Sequence, residues 1–270
     1  MNIRNQKIPV LMYHEVSRDQ KAKLPSYEMT PFYDIPVELF EKQMRTLVEE
    51  GYQSLVFDDV QNLDASKKYV IITFDDGLKG NSHHALPILK KYGLRATFFV
   101  CVNSIGSNRF MKWTELVQLI DHGMSVQSHT MSHRPLHNLH DNDISLELQE
   151  SKRIIENKLK NNVNAISLPH GSYNEGALKI AAQEGYKFIC TSDFTSTYYD
   201  TFKNKPAVVG RIAITSKMSM NQFVKCLNYN VVEILKRRYA KQAKNTVKHI
   251  IGIEAYRKIY RYIFNIRVNH

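Results

Sequence analysis

Strand-length runs that are apolar at nearly every position, rather than at every second one, constrain this chain more than any other feature. "IPVLMYH" (8–14), "YVIITF" (69–74) and "RATFFVCV" (95–102) are of this kind, and the shorter "MSVQS" (124–128), "NAISL" (164–168), "KFICTS" (187–192) and "GRIAI" (210–214) read as further strands. Such strands are buried on both faces, which is the condition of a parallel sheet covered by helices. Helical segments separate them as that architecture requires. "PVELFEKQMRTLVEEGY" places Leu39, Phe40, Met44, Leu47 and Val48 on one face and stops at Gly51. "HHALPILKKYG", "WTELVQLIDHG", "DISLELQESKRIIENKLK", "NEGALKIAAQEG" and "NQFVKCL" supply the others. The pattern predicts an α/β fold with its active site where the strands end.

At one strand end, "TFDDG" (73–77) sets Asp75 and Asp76 side by side, where like charges repel. "SHTMSH" (128–133) ends another strand and offers His129 and His133 four residues apart. Two neutral imidazoles and one carboxylate form a three-ligand zinc site with positions left open for water and substrate. One aspartate can be the third ligand, and the other then remains as a base toward water. Two further segments fall at predicted strand ends: "LMYH" (11–14) and "SLPHGSYN" (167–174). A lone His-x-x-x-His or Asp-Asp-Gly is common, but together at the ends of apolar strands they form a site.

With these motifs the sequence resembles the polysaccharide deacetylases, carbohydrate esterase family 4. The family's T-F-D-D-G is matched at Thr73 to Gly77, and its H-[ST]-x-x-H by His129, Thr130 and His133. "HALPILKKYGLRATFFV" and "YNEGALKIAAQEGYKF" are also similar, so the resemblance runs over roughly residues 8–226. It implies a distorted, incomplete (β/α) barrel in a catalytic domain spanning 1–230. It implies Asp75 as general base, and Asp76, His129 and His133 as ligands of zinc, with cobalt or nickel compatible with the same donors. The implied reaction is hydrolysis of an N-acetyl group on a hexosamine of a glycan, releasing acetate. An oxyanion donor is expected from the turn at His170 and Gly171, with Tyr173 and Tyr13 as substrate contacts.

Two departures from the family pattern matter. The third motif, R-x-P-x-G, has Ser167 where the arginine belongs, and Arg211 in "VGRIAI" is the candidate replacement beside the base. The late L-x-H motif that supplies the acid is missing before residue 230. The opening "PVLMYHEV" is instead similar to the circularly permuted subgroup acting on poly-N-acetylglucosamine, which makes His14 the expected acid.

The net charge of +11 is concentrated at the end of the chain. Residues 231–270 hold ten Lys/Arg and two Glu, a net +8 that leaves +3 for the rest. This describes a basic tail rather than a nucleic-acid-binding body, and no nucleic-acid motif accompanies it. Within 250–264, apolar Ile250, Ile251, Ile253, Tyr256, Ile259, Tyr260, Ile263 and Phe264 interleave with Arg257, Lys258 and Arg261. That profile suits an amphipathic helix on anionic lipid or one packed on protein. The first residues resemble no cleavable leader, and Cys101, Cys190 and Cys226 form no metal or disulfide pattern. The expectation is a cytoplasmic protein, in contact with the inner membrane face if the tail binds lipid. Two alternatives stand beside the N-deacetylase: an O-acetyl ester hydrolase using the same site, and a sugar-binding protein on an inactive scaffold. The missing arginine favours the last, and the intact Asp75, Asp76, His129 and His133 oppose it.

Overall fold

The computed structural model describes residues 6–18, 31–61, 63–171 and 173–236, with isolated helical positions as far as 247. The elements run β1 (Val10–Tyr13), β2 (Glu15–Ser17), β3 (Asp34–Pro36), α1 (Val37–Glu49), β4 (Tyr52–Leu55), β5 (Lys68–Phe74), α2 (Leu86–Lys91), β6 (Thr97–Val100), α3 (Trp113–Asp121) and β7 (Ser125–Ser128). They continue with α4 (Asp141–Leu159), β8 (Ala165–Ser167), α5 (Glu175–Gln183), β9 (Phe188–Cys190), β10 (Ala207–Val209), β11 (Ile212–Ala213) and α6 (Met220–Leu227). All strands and helices predicted within the described residues are present. β4 and β10 are additional, and β2 pairs with β3 in a small separate ribbon.

The main sheet has the order β10-β9-β8-β7-β6-β5-β1-β11, with β4 also on β5, and every pairing in it is parallel. Its two outermost strands, β10 and β11, are joined by only Gly210 and Arg211. Eight strands laid flat would put these edges roughly 33 Å apart. The link from Val209 to Ile212 reaches about 11 Å at full extension. The sheet therefore has to curl, and it forms the incomplete barrel that the family resemblance implies.

Alternate residues then separate into two cores. Val10, Ile71, Phe99, Ala165, Cys190 and Val209 fill the barrel interior. Leu11, Tyr13, Ile72, Phe74, Val126, Ile166 and Ile212 face outward against the helices, where Phe40, Met44 and Leu47 of α1 meet them. Val48, expected on that apolar face, is 44% exposed. The three cysteines are free and buried.

After α6, residues 231–236 are helical, and Ile234 packs on the outer core. The stretch 250–264, where the amphipathic helix is expected, lies outside the described residues.

Candidate active site

The inward parity of the strands sets the site. Residues 71 and 73 of β5 point inward, and the next residue in step is Asp75. The same count gives His14 after Val10 and Met12, His129 after Gln127, Ser167 after Ala165, and Arg211 after Val209. Five polar side chains thus meet at the C-terminal mouth of one barrel.

Asp75 is 3% exposed and is gripped on both oxygens. Arg211 Nη1 and Nη2 each donate to it at 2.7 Å, and Ser167 Oγ donates at 3.0 Å. The guanidinium also donates to Ser167 Oγ at 2.8 Å, Thr73 Oγ1 at 3.2 Å and the Thr191 carbonyl at 3.0 Å. Burial pushes the Asp75 carboxyl up. The charges of Arg211 and His129 and the guanidinium hydrogen bonds outweigh it, so the group lies below its ordinary value. The arginine missing from the third motif therefore has a spatial substitute, and the serine in its place joins the same network.

Asp76 cannot follow the strand, because its φ of 73° turns it out of the extended path. This turn points its carboxylate at the two histidines instead of beside Asp75. His129 Nε2 and His133 Nε2 are each 3.3 Å from Asp76 Oδ1 and 3.1 Å from one another. His129 Nδ1 meets the Ser167 carbonyl at 2.7 Å, which fixes the proton on that nitrogen and turns the Nε2 lone pair inward. Burial raises the Asp76 carboxyl, but hydrogen bonds from both histidines and the charge of His14 hold it well below the usual range. These separations match the edges of a tetrahedron around zinc at 2.0–2.1 Å, about 3.3 Å. The donor set fits a divalent metal in both chemistry and spacing, and it is the one such cluster among the described residues.

His14 lies in the same mouth, half-buried, its ring 4.4 Å from that of Tyr33. Its Nδ1 has no hydrogen-bond partner. Burial lowers the pKa of this imidazole, and the charges of Asp76 and Asp75 only partly oppose that.

Of the expected substrate contacts, Tyr13 must be corrected. It is one residue out of step with His14, so it faces the helices, is 0% exposed, and donates its hydroxyl to Gln43 of α1 at 2.9 Å. His170 stands exposed at the rim with its ring 4.9 Å from that of His133. The Gly171 N–H is committed to the Leu168 carbonyl at 2.9 Å, so it is not the oxyanion donor. Tyr173 donates to Asp193 Oδ2 at 2.9 Å beside this turn. Sequence reasoning missed Ser167, Tyr33 and Glu147 of α4. For Ser167, its position in the third motif was the available signal.

Comparison with known proteins agrees with this geometry. The polysaccharide deacetylase family model matches residues 62–189. A Bacillus subtilis protein provisionally named polysaccharide deacetylase YxkH is 35% identical over 192 residues, covering 69% of this chain and 65% of its own. A Staphylococcus aureus poly-β-1,6-N-acetyl-D-glucosamine N-deacetylase is 25% identical over 177 residues, covering 58% of this chain and 60% of its own. This chain thus spans just under two thirds of the length of these relatives. The Streptococcus pyogenes deacetylase PplD, solved in complex with acetate, superposes with a TM-score of 0.72 at 29% identity, covering 83% of this chain and 99% of that one. A curled parallel barrel, an Asp-Asp-Gly turn, a paired-histidine turn and these likenesses lead to one assignment: the chain carries a polysaccharide deacetylase domain.

Proposed function

We propose that this chain is a metal-dependent hydrolase that removes N-acetyl groups from N-acetylhexosamine units of a glycan, releasing acetate. The observation that carries the reading is the convergence of Asp76, His129 and His133 beside an aspartate held by Arg211. When bound, a divalent ion such as zinc supplies Lewis-acid polarisation of the acyl oxygen and of water. Asp75, ionised and locked in orientation, accepts the proton of the attacking water. Arg211 keeps that carboxylate charged and aimed, at the cost of a lower proton affinity. His14, on the neighbouring strand, gives a proton to the departing amine so that it leaves uncharged. Tyr33 flanks the His14 ring, and His170 and Tyr173 line the rim where a sugar would enter.

The names of the relatives support the substrate class, since one acts on an N-acetylglucosamine polymer and another was solved with acetate. The test is acetate release from N-acetylated and from O-acetylated glycans, with metal content measured on wild type and His133→Ala. About one metal per chain, lost in the variant, with release from the amide substrate, is the expected result. Release from esters alone would make the chain an O-acetyl hydrolase. A chain that takes up no metal and releases no acetate would leave a sugar-binding scaffold.

A second contact concerns the tail. Val231, Val232 and Leu235 are 67%, 58% and 42% exposed on the helix whose Ile234 packs on the outer core. With the basic sequence that follows, these exposed apolar residues support binding to an anionic membrane surface, at the inner face for a cytoplasmic protein. A chain ending at residue 236 should lose affinity for phosphatidylserine-containing vesicles. Equal binding by the full and shortened chains would refute the contact.

A further inference from the structure

The turn that carries both histidines has an unusual backbone. Thr130 and His133 have φ of 67° and 60°, the left-handed region that ordinary side chains avoid. Two such residues in one short turn need something to hold them, and α4 supplies it. Glu147, only 7% exposed, turns its carboxylate into the turn. Its Oε2 accepts from the N–H of Met131 at 3.0 Å and of Ser132 at 2.9 Å, and its Oε1 accepts from the Ser132 hydroxyl. Successive N–H groups converging on one anion form a backbone nest, here filled by the protein itself. One turn further along α4, Ser151 Oγ meets Ser128 Oγ at 2.8 Å, and Ser128 Oγ in turn accepts from Thr130 N–H at 3.1 Å. The turn is therefore fixed to the helix on both sides of Thr130.

We infer that Glu147 is a positioning residue for the metal centre: by filling the nest between His129 and His133, it keeps both Nε2 atoms aimed at one point. The inference rests on the reading of Asp76, His129 and His133 as metal ligands. Glu147 touches neither the metal position nor the substrate. It acts through the two backbone N–H groups that lie between the ligands. A free turn could relax His133 toward the ordinary right-handed region, and the 3.1 Å approach of the two imidazole nitrogens would be lost. Partners that orient metal ligands in this way are worth about 10–100-fold in metal affinity.

The test uses the full chain and zinc, with affinity measured by competition against a chromophoric chelator for wild type, Glu147→Ala and Glu147→Gln. Stability is measured in parallel on the metal-free proteins. Glutamine keeps one oxygen for the two N–H groups, and its amide can donate to the Ser132 hydroxyl. Glu147→Ala should weaken zinc by about 10–100-fold, and Glu147→Gln should recover most of that loss. The metal-free circular dichroism spectrum of the variants should stay that of wild type. Should alanine unfold the chain, the glutamine variant decides, because it must remain folded and bind zinc within a few fold of wild type. Zinc affinity unchanged in a folded Glu147→Ala, or lost equally in both variants, would overturn the role and leave the metal reading intact. A wild type that binds no zinc would overturn both.

Discussion

Arg211→Met is the most informative single change, because it removes the guanidinium paired with a buried carboxylate and nearly preserves volume. In the folded protein Asp75 would keep Ser167 as donor but lose two 2.7 Å bonds and the formal charge that offsets its burial. Removing one partner of a buried ion pair costs about 3–5 kcal/mol, since the remaining charge is left uncompensated. At about 2–4 °C per kcal/mol for a domain of this size, the melting temperature should fall by about 6–20 °C. Urea unfolding at neutral pH with a chelator present reads this without any contribution from metal. The pH dependence has a definite sign. The depressed carboxyl of Asp75 gives stability that is present above its unfolded value near pH 3.9 and is lost as pH falls through its folded value. Wild type and variant should therefore converge in acid. Asp75→Asn combined with Arg211→Met should cost well under the sum of the single changes, because each single variant strands a partner that the double variant does not. A cost below about 1 kcal/mol for Arg211→Met, or strict additivity with Asp75→Asn, would refute the ion pair as the organiser of the site.

Three other changes follow from the same geometry. His14→Ala should keep wild-type metal content and lose about 10²–10⁴-fold in acetate release, and near-normal turnover would remove His14 as the acid. Glu15, buried near Asp34 and only partly offset by Arg109 at 4.0 Å, has its carboxyl pushed up to about 8. Its raised value means the folded chain holds a proton that the unfolded chain sheds above about pH 4.5. Stability from this group should thus decline by at most about 1.4 kcal/mol per unit between pH 5 and 8, and Glu15→Gln should flatten the decline in denaturation series. Gly171 has φ of 60°, and a Cβ there would sit 1.8 Å from Ser192 Oγ and 2.9 Å from its backbone nitrogen. Gly171→Ala should cost at least about 1–2 kcal/mol from handedness alone, read as a lower urea midpoint, and no loss would mean the turn is free to move.

The parallel α/β architecture was legible because continuous apolar strands admit few arrangements, the barrel came from the resemblance, and the Asp76, His129 and His133 cluster was legible because its residues stand at the ends of those strands. Asp75 and Asp76 were separable only by resemblance. The physical difference, in-step parity for one and a left-handed φ for the other, belongs to the folded backbone. Tyr13 shows the opposite case: period-two alternation from Val10 already places it on the other face from His14, so the signal was present and went unused. Ser167 was visible as the substituted position of a motif, whereas its bonds to Asp75 and Arg211 depend on which strands become neighbours. Glu147 gave no local signal, because a charged residue inside a long helix looks solvated until the helix is docked. β4 and β10 are short and carry exposed positions, which weakens the apolar run that marked the other strands.

The two-residue step from β10 to β11 also bears on where in a chain an imidazole of the barrel mouth can be encoded. Because that step bends the sheet into a near-ring, the first strand does not lie at an extreme of the molecule. β1 sits against β11, with Leu11 opposite Ile212, and against β5, which carries the aspartates. Position on this circle is an angle, and the numbering of the chain only chooses where counting begins. An imidazole written fourteenth and one written after the last strand can occupy the same angular slot. Evolution could therefore move that strand from one terminus to the other while the chemistry at the barrel mouth stays in place.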